Sequence, residues 1–192
     1  YTDYQLDRSA IRKAMRRPYL RAAARFVRGP AVDLGCGVGE LLAHLPPGSM
    51  GLEINRATVE HCRGQGLDVA YYDGWDDDWH LAPVGDTGRQ FDTLIMSHVL
   101  EHLDEPVDVL RRVFRGAGSL GIRRVLVQVP GRAGYRHDPT HRTFVDRETI
   151  HLADIRPLLD GEFAGAKENM LRFNCRAVLG VPLMREGGAY GG

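Results

Sequence analysis

Histidine and glutamate side chains that are able to do acid–base chemistry stand in two short segments of the sequence. His98, Glu101 and His102 follow a strongly apolar run, and His141 lies in a later, basic segment. If the first segment turns as a helix, its three side chains share one face, because residues three and four apart are neighbours there. Imidazole titrates near neutral pH, so any of these histidines could take a proton from an acceptor hydroxyl.

A glycine-rich loop offers a second kind of chemistry, the close approach of backbone to a ligand. Gly35, Gly37 and Gly39 directly follow a short apolar run at 31–34. Each glycine removes a Cβ that would obstruct the turn or the ligand. The dinucleotide fingerprint needs its third glycine three residues after the second, but here the interval is two. The spacing therefore favours a ligand without a pyrophosphate, and a dinucleotide-dependent oxidoreductase becomes the alternative.

The order of the elements indicates how these regions could meet. Strands alternate with helices between residues 31 and 130, which predicts a Rossmann-like, doubly wound α/β fold with a mostly parallel sheet and helices on both faces. Open sheets of this kind bind ligands at the carboxyl ends of their strands, and Glu53 ends the second predicted strand, where a carboxylate can accept both ribose hydroxyls. The predicted strands are 31–34, 50–54, 67–72, 91–96 and 124–129, and the segment with residues 163, 170–173 and 177–179 could supply two more. The predicted helices are 40–45, 57–63, 107–114 and 147–159, and Asp146 is the predicted cap of the last one. The stretches 73–90 and 131–143 are predicted to be irregular.

The chain reads as a single domain. Its 192 residues suit one α/β unit, which we place at 31–186, after a helical segment at 1–30 and before a glycine-rich, disordered tail at 187–192. The 25 basic and 25 acidic residues balance, and zero net charge argues against a nucleic-acid partner.

Cysteine usage and hydropathy predict the compartment. Cys36, Cys62 and Cys175 are few, odd in number and far apart, which indicates neither a disulfide framework nor a metal spacing and fits a reducing cytoplasm. No apolar run approaches the ~20 residues that span a bilayer, and the first residues show no secretory pattern.

Over approximately residues 25–145 the sequence resembles the class I S-adenosylmethionine-dependent methyltransferases. Asp33-Leu34-Gly35-Cys36-Gly37-Val38-Gly39 is similar to their first motif, and the segment from Phe91 to Leu103 resembles the broad type 11 subgroup. The resemblance implies that the loop backbone approaches the methionyl part of the cofactor, that Glu53 binds its ribose and that Asp73 lies near adenine. The cofactor-binding residues so assigned are Asp33, Gly35, Cys36, Gly37, Gly39, Glu53, Asp73, Gly74 and Ser97.

The resemblance leaves three interpretations of the histidine segment open. Glu101 and His102 recur in the subgroup whatever the acceptor, so they could simply hydrogen-bond loop backbone. In the second interpretation, which we assign, His98, His102 and His141 are catalytic acid–base residues and no residue binds a metal. In the third interpretation the segment is part of a metal site. Small-RNA and quinone-pathway O-methyltransferases have the pattern Glu-x-x-Glu-His at the positions where this chain has His98 to His102. A later histidine, for which His141 is the candidate, would complete the site. Histidine at the first position favours a softer ion such as Zn²⁺ over Mg²⁺.

The predicted function is methyl transfer to oxygen. The segment Asp138-Pro139-Thr140-His141 resembles one that is common in glycan-associated methyltransferases, so a small-molecule or glycan hydroxyl is the expected acceptor. Arg132, Arg136 and Arg142 make the surrounding loop basic, which suits either a solvated loop or an anionic acceptor. The sequence predicts neither the acceptor's identity nor the oligomeric state.

Overall fold

A six-stranded sheet organises the molecule, which is represented by a computed structural model describing residues 20–21, 23–136, 138–146, 149–150 and 178–182. The strand order is β3-β2-β1-β4-β5-β6, with all neighbours parallel except β6, which runs antiparallel to β5. The strands are β1 Ala31–Leu34, β2 Met50–Glu53, β3 Val69–Tyr71, β4 Thr93–Ser97, β5 Arg124–Gln128 and β6 Val178–Pro182. The predicted doubly wound, mostly parallel α/β fold is therefore confirmed.

Four α-helices and two short 3-10 helices connect these strands in the described residues. The α-helices are α1 Arg56–Gly64, α2 Ala82–Gly85, α3 Pro106–Ser119 and α4 Arg132–Tyr135, and the 3-10 helices are Leu42–His44 and Leu100–His102. Asn55 begins α1 by accepting a hydrogen bond from the Thr58 amide on its side chain, which satisfies one of the helix's unpaired N–H groups. None of the helices in the described ranges is long and apolar enough to cross a membrane.

Both faces of the sheet are covered by apolar clusters. Leu94 and Met96 of β4 belong to a large apolar cluster with α3, whereas Ile95 packs into a second cluster with residues that precede β1. Because successive strand residues point to opposite faces, a strand that is apolar throughout must be covered on both sides. The clusters therefore explain why the strands read as continuous apolar runs.

Two helices differ in length from the sequence prediction. The predicted helix 40–45 is only a 3-10 helix at Leu42–His44, because six residues between a left-handed glycine and two prolines cannot propagate an α-helix. Helix α3 continues to Ser119, five residues beyond the predicted end. A Cβ on Gly116 would lie 2.4 Å from the carbonyl oxygen of Trp79, so a glycine inside this helix is needed for close packing.

The stretches predicted to be irregular contain one helical turn each. Helix α2 interrupts 73–90, and α4 interrupts 131–143. The predicted cap of the helix at 147–159 is present, since the Thr149 amide donates to Asp146 Oδ1 at 2.9 Å. Strand β6 overlaps the predicted strand at 177–179. Most of the predicted helical segment at 1–30, most of 147–159, the predicted strands at 163 and 170–173 and the tail at 187–192 lie outside the described residues.

Candidate active site

The loop after β1 has its backbone in the left-handed region at three glycines. Gly35, Gly37 and Gly39 have φ values of 76°, 54° and 77°. A Cβ on Gly35 would lie 2.6 Å from Val99 Cγ2, and a Cβ on Gly39 would lie 2.3 Å from Leu67 Cδ1. Both the backbone conformation and the available space therefore require glycine at the first and third positions.

Glu53 joins this loop to the end of β2. Its side chain is buried, and Oε2 accepts a hydrogen bond from the Gly37 amide while Oε1 accepts one from the Asn55 amide, both at 2.9 Å. Each carboxylate oxygen has two acceptor sites, so these bonds leave capacity for two ligand hydroxyls. The carboxylate is thus held rigidly in an orientation suited to a ribose.

A second buried carboxyl, Asp33, lies close to Glu53. Asp33 is 1% exposed, and its Oδ1 has no hydrogen-bond partner among the described residues. Burial, and next the charge of Glu53, raise the pKa of Asp33 to about 7. A buried carboxyl oxygen without a partner is costly unless it is protonated or meets a cation. The glycine cradle and this carboxyl together fit a ligand that carries positive charge, as S-adenosylmethionine does.

Four further predicted cofactor residues lie at or just after the ends of β1, β3 and β4, and their contacts differ. Asp73 Oδ1 accepts a hydrogen bond from the Trp75 amide at 3.0 Å. A Cβ on Gly74 would lie 2.4 Å from the Trp79 ring, so packing alone requires that glycine. Ser97 Oγ donates to Gln128 Oε1 at 3.2 Å. Cys36 is buried and directs its thiol toward the Gly37 carbonyl, away from solvent.

Two large apolar side chains near the cofactor residues are exposed. Ile54 directly follows Glu53 and is 57% exposed, and Trp75 follows Asp73 by two residues and is 58% exposed. Single exposed apolar residues are common, but two of them beside strand ends at the ligand edge of a sheet are suited to contact a flat ring. The Trp75 ring meets Trp79 edge-on, with centroids 5.5 Å apart, which supports its position.

His98 and Glu101 form a hydrogen-bonded pair after β4. His98 Nδ1 donates to Glu101 Oε1 at 2.9 Å, while its backbone amide donates to the Gln128 carbonyl at 2.8 Å. His98 adopts a φ of 59°, a conformation that strains a side-chain-bearing residue by about 1–3 kcal/mol. The Glu101 side chain is fully buried, and its Oε2 has no hydrogen-bond partner in the part of the chain that the structure describes. A strained backbone at His98 and a buried carboxylate oxygen of Glu101 thus occur together in one predicted site.

His141 and His102 meet this pair from the other side. His141 Nε2 lies 4.0 Å from Glu101 Oε1 and 3.9 Å from Asp138 Oδ2, and the His102 and His141 ring centroids are 4.9 Å apart. His141 Nδ1 donates to the Tyr135 carbonyl at 2.8 Å. In a neutral ring that bond leaves the Nε2 lone pair facing two carboxylates, an arrangement of donor atoms that suits a bound cation.

The chain segment that carries His141 is attached to the other catalytic candidates through backbone. The amides of Arg142 and Thr143 both donate to the Glu101 carbonyl, at 2.8 and 3.2 Å, and Arg142 pairs with Asp104 at 2.5 Å. Residues about 40 positions apart are thereby held together. Sequence reasoning missed the contacts of Tyr135 and Asp138 with His141, because nothing in local spacing indicates them.

The comparisons with known proteins agree with this geometry. A family model described as a methyltransferase domain matches residues 32–119. No curated protein matches the chain significantly in sequence. Among solved structures, a SAM-dependent methyltransferase from Archaeoglobus fulgidus is 24% identical, with a TM-score of 0.54 over 74% of this chain, and the chain spans only 65% of that protein's length.

Two other solved structures share the fold at lower identity. A SAM-dependent methyltransferase from Thermotoga maritima is 18% identical, with a TM-score of 0.54, and the match covers 74% of this chain and 70% of that one. A match to the complex between the Haloferax volcanii Trm112 methyltransferase activator and a methyltransferase covers 90% of both chains, at 17% identity and a TM-score of 0.53. A methyltransferase-domain model thus matches the glycine loop and the strands that follow it, and the chain shares the fold of these S-adenosylmethionine-dependent methyltransferases.

Proposed function

We propose that this methyltransferase transfers a methyl group to an oxygen atom of a small-molecule or glycan-type acceptor, with His98 as the general base. The observation that carries the proposal is the hydrogen bond from His98 Nδ1 to the fully buried Glu101 carboxylate. That bond fixes the ring so that Nε2 carries the lone pair in neutral imidazole. A hydroxyl acceptor needs such a base, since it must lose its proton.

The chain's residues would divide the work between binding and proton transfer. When bound, S-adenosylmethionine supplies an already activated methyl group, so the protein mainly aligns the two reactants and excludes water. Glu53 would hold the ribose hydroxyls, and the backbone of Gly35, Gly37 and Gly39 would pass close to the methionyl part. His98 Nε2 would take the acceptor proton, and Glu101 would stabilise the imidazolium that forms.

The remaining predicted residues would have supporting roles. Asp33 would face the positive charge of the cofactor, and Asp73, followed by Gly74, would lie beside the adenine. Cys36 and Ser97 would border the cofactor without contributing charge. His102 and His141 would position the acceptor hydroxyl beside His98, because both lie next to the Glu101 carboxylate.

The test is a comparison of two histidine variants across pH. S-adenosylhomocysteine release is measured with a panel of sugar, phenol and amine acceptors. For His98→Gln we expect turnover to fall by about 100-fold or more with an oxygen acceptor, and S-adenosylhomocysteine affinity to stay within about twofold. His44→Gln is the matched control, since His44 is exposed on the 3-10 helix Leu42–His44. Methylation of amines alone, or normal turnover by His98→Gln, would contradict the proposal.

A second candidate is metal-assisted O-methylation, because one specific arrangement favours it. Ligand atoms of Glu101, His102 and His141 lie within 4.8 Å of one another. The Nδ1 atoms of His102 and His141 lie 3.3 and 2.8 Å from the carbonyls of Thr140 and Tyr135, contacts through which metal-binding histidines are usually oriented. Two imidazoles and the Glu101 carboxylate, whose Oε2 has no hydrogen-bond partner among the described residues, fit Zn²⁺ better than Mg²⁺.

Metal content separates the two candidates. If the cluster binds zinc, purified protein should hold about one equivalent by elemental analysis, and His141→Ala should lose it while His44→Ala keeps it. Chelation should then lower turnover, and added Zn²⁺ should restore it. A metal-free protein whose turnover is unchanged by chelators would leave His98 as the sole candidate for activating the acceptor.

We also propose the setting in which the enzyme works. The balanced charge of the chain supports a small acceptor over nucleic acid, and its cysteine usage supports a cytoplasmic location. Calorimetric titration tests the oxidoreductase alternative directly. S-adenosylhomocysteine should bind and NADH should not.

A further inference from the structure

Two cysteine thiols converge on the backbone of the cofactor loop. Cys36 lies in the loop after β1, and Cys62 lies in α1. Cys36 Sγ is 3.6 Å and Cys62 Sγ is 3.3 Å from the same atom, the carbonyl oxygen of Gly37. Both thiols are free and buried, and they also contact each other by a hydrogen bond. Two thiols that meet at one acceptor atom are neighbours in space.

The same loop residue connects these thiols to the cofactor site. The Gly37 amide donates to Glu53 Oε2, so Gly37 is held by Glu53 on its N–H and by the thiols on its carbonyl. The Cys36 side chain fits against β2 because residue 51 is a glycine, since a Cβ on Gly51 would lie 2.6 Å from Cys36 Sγ. Any covalent change that pulls the Cys36 side chain toward α1 would therefore move the peptide that orients Glu53.

The two thiols differ in acidity. The hydrogen bond with Cys62, and then burial, raise the pKa of Cys36. The hydrogen bond from Cys36 lowers the pKa of Cys62. The thiolate is the reactive form of cysteine, so Cys62 is the better first nucleophile and Cys36 the better resolving thiol.

We propose that Cys36 and Cys62 are a modification site, a thiol pair that a hydroperoxide oxidises to a disulfide, and that this disulfide weakens binding of the cofactor. The Cys62 thiolate attacks a peroxide oxygen and breaks the O–O bond; with hydrogen peroxide this gives a sulfenic acid, and the departing hydroxide takes up a proton to become water. Cys36 sulfur then forms the S–S bond and displaces the sulfenic oxygen as a second water. The two thiol hydrogens end in the two water molecules, and the peroxide is reduced as the thiols are oxidised.

The expected consequence is loss of cofactor affinity. A disulfide needs its two Cβ atoms about 3.5–4.5 Å apart, and its sulfurs can no longer donate to the Gly37 carbonyl. The loop would lose both of these bonds on the carbonyl side of Gly37. A reversible disulfide of this kind suits a reducing compartment, where such bonds are transient and report redox state.

The experiment measures the cross-link and the affinity on the same samples. The full chain is treated with hydrogen peroxide and digested without reductant, and peptide masses are recorded. We expect a Cys36–Cys62 cross-linked peptide and at least a tenfold rise in the dissociation constant of S-adenosylhomocysteine, both reversed by dithiothreitol. Because binding is the readout, no acceptor is needed, and failure of the proposed O-methylation would not affect the result.

Two cysteine variants complete the test. Cys62→Ser should bind S-adenosylhomocysteine as the untreated protein does and should keep that affinity in peroxide, whereas Cys175→Ser should respond as the unmodified chain does. If Cys62→Ser is unstable, the dithiothreitol reversal on the unmodified chain decides the question. Thiols that stay reduced, a disulfide to Cys175, or a Cys36–Cys62 disulfide with unchanged affinity would each overturn the proposal.

Discussion

The proposed cofactor half and the proposed acceptor half of this site are held together by different kinds of contact. Around Glu53 the contacts are made with backbone: the carboxylate binds two amides, and glycines with positive φ bring the loop close. Around Glu101 the contacts are made among side chains, with His98, His102 and His141 gathered about one buried carboxylate. Backbone contacts bind any molecule of the right shape, whereas side-chain contacts can be changed one at a time. The first half therefore suits an invariant cofactor, and the second suits a variable acceptor.

The largest expected effect tests whether the acceptor half acts without the cofactor half. For His141→Ala we expect turnover to fall by about 100-fold or more, which is the usual range for losing an acid–base or positioning group. S-adenosylhomocysteine affinity should change by less than about twofold, because the contacts described for His141 are with Glu101, Asp138, Tyr135 and His102. The measurement is steady-state turnover together with calorimetric titration. A fall in affinity as large as the fall in turnover would show that the halves are not separate.

Removal of Glu53 tests the opposite half. Glu53→Ala should raise the dissociation constant of S-adenosylhomocysteine by about 100-fold, since hydrogen bonds to a charged group contribute roughly 1.5–3 kcal/mol each. Loss of the anchor on the Gly37 amide adds to this effect. Glu60→Ala is the matched control, because Glu60 is an exposed carboxylate on α1. An affinity equal to that of the control would remove Glu53 from the ribose role.

A substitution at Gly35 measures how much the loop geometry contributes by itself. Gly35→Ala should weaken S-adenosylhomocysteine binding by about tenfold and lower the melting temperature, because a left-handed alanine costs about 1–3 kcal/mol and its Cβ would press on Val99. Gly64→Ala is the control, since a Cβ there has no neighbour within 4 Å. Equal behaviour of the two variants would mean that the loop adapts, contrary to the comparison.

The smallest effect concerns pH and the charge of the buried Asp33. Since its pKa is raised to about 7, the carboxyl is mostly protonated below that pH and mostly ionised above it. S-adenosylmethionine, which carries a sulfonium charge, should therefore bind about threefold more tightly at pH 8 than at pH 6. Asp33→Asn should abolish the trend, and S-adenosylhomocysteine, without the sulfonium, should show less of it. Without cofactor, the free energy of unfolding should depend on pH in the opposite direction. Ionising a buried carboxyl is unfavourable, so the stability that the protonated Asp33 contributes is lost as pH rises through about 7.

The sequence specifies the geometry around Glu53 more fully than the geometry around Glu101, for a physical reason. The strand, the glycine loop and Glu53 lie within 23 consecutive residues, 31–53, and each has a local signature. The His141 contacts depend on a segment about 40 residues beyond Glu101, and no local pattern specifies that approach. The sequence singled out histidines that lie close together in the structure, but it could not reveal the His98–Glu101 hydrogen bond or the contact between His102 and His141.

The two helices whose lengths were predicted wrongly differ from the prediction for different reasons. The helix predicted at 40–45 is a single 3-10 turn because prolines follow it directly. Helix α3 continues through Gly116 because that glycine fits against Trp79, a tertiary contact that propensity does not include. Propensity describes a residue in isolation, and the second error arises where a neighbour in space decides the outcome.

The two amides that bind the Glu101 carbonyl also bear on how such an enzyme could be redesigned. Arg142 and Thr143 are held to the core by hydrogen bonds from their backbone N–H groups, which every amino acid except proline supplies. Residues 138–140 could therefore be exchanged for those of another methyltransferase, with His141 kept, without disturbing these two backbone hydrogen bonds. A library of chimeras joined at these two positions would vary the acceptor while the methyl donor stays the same.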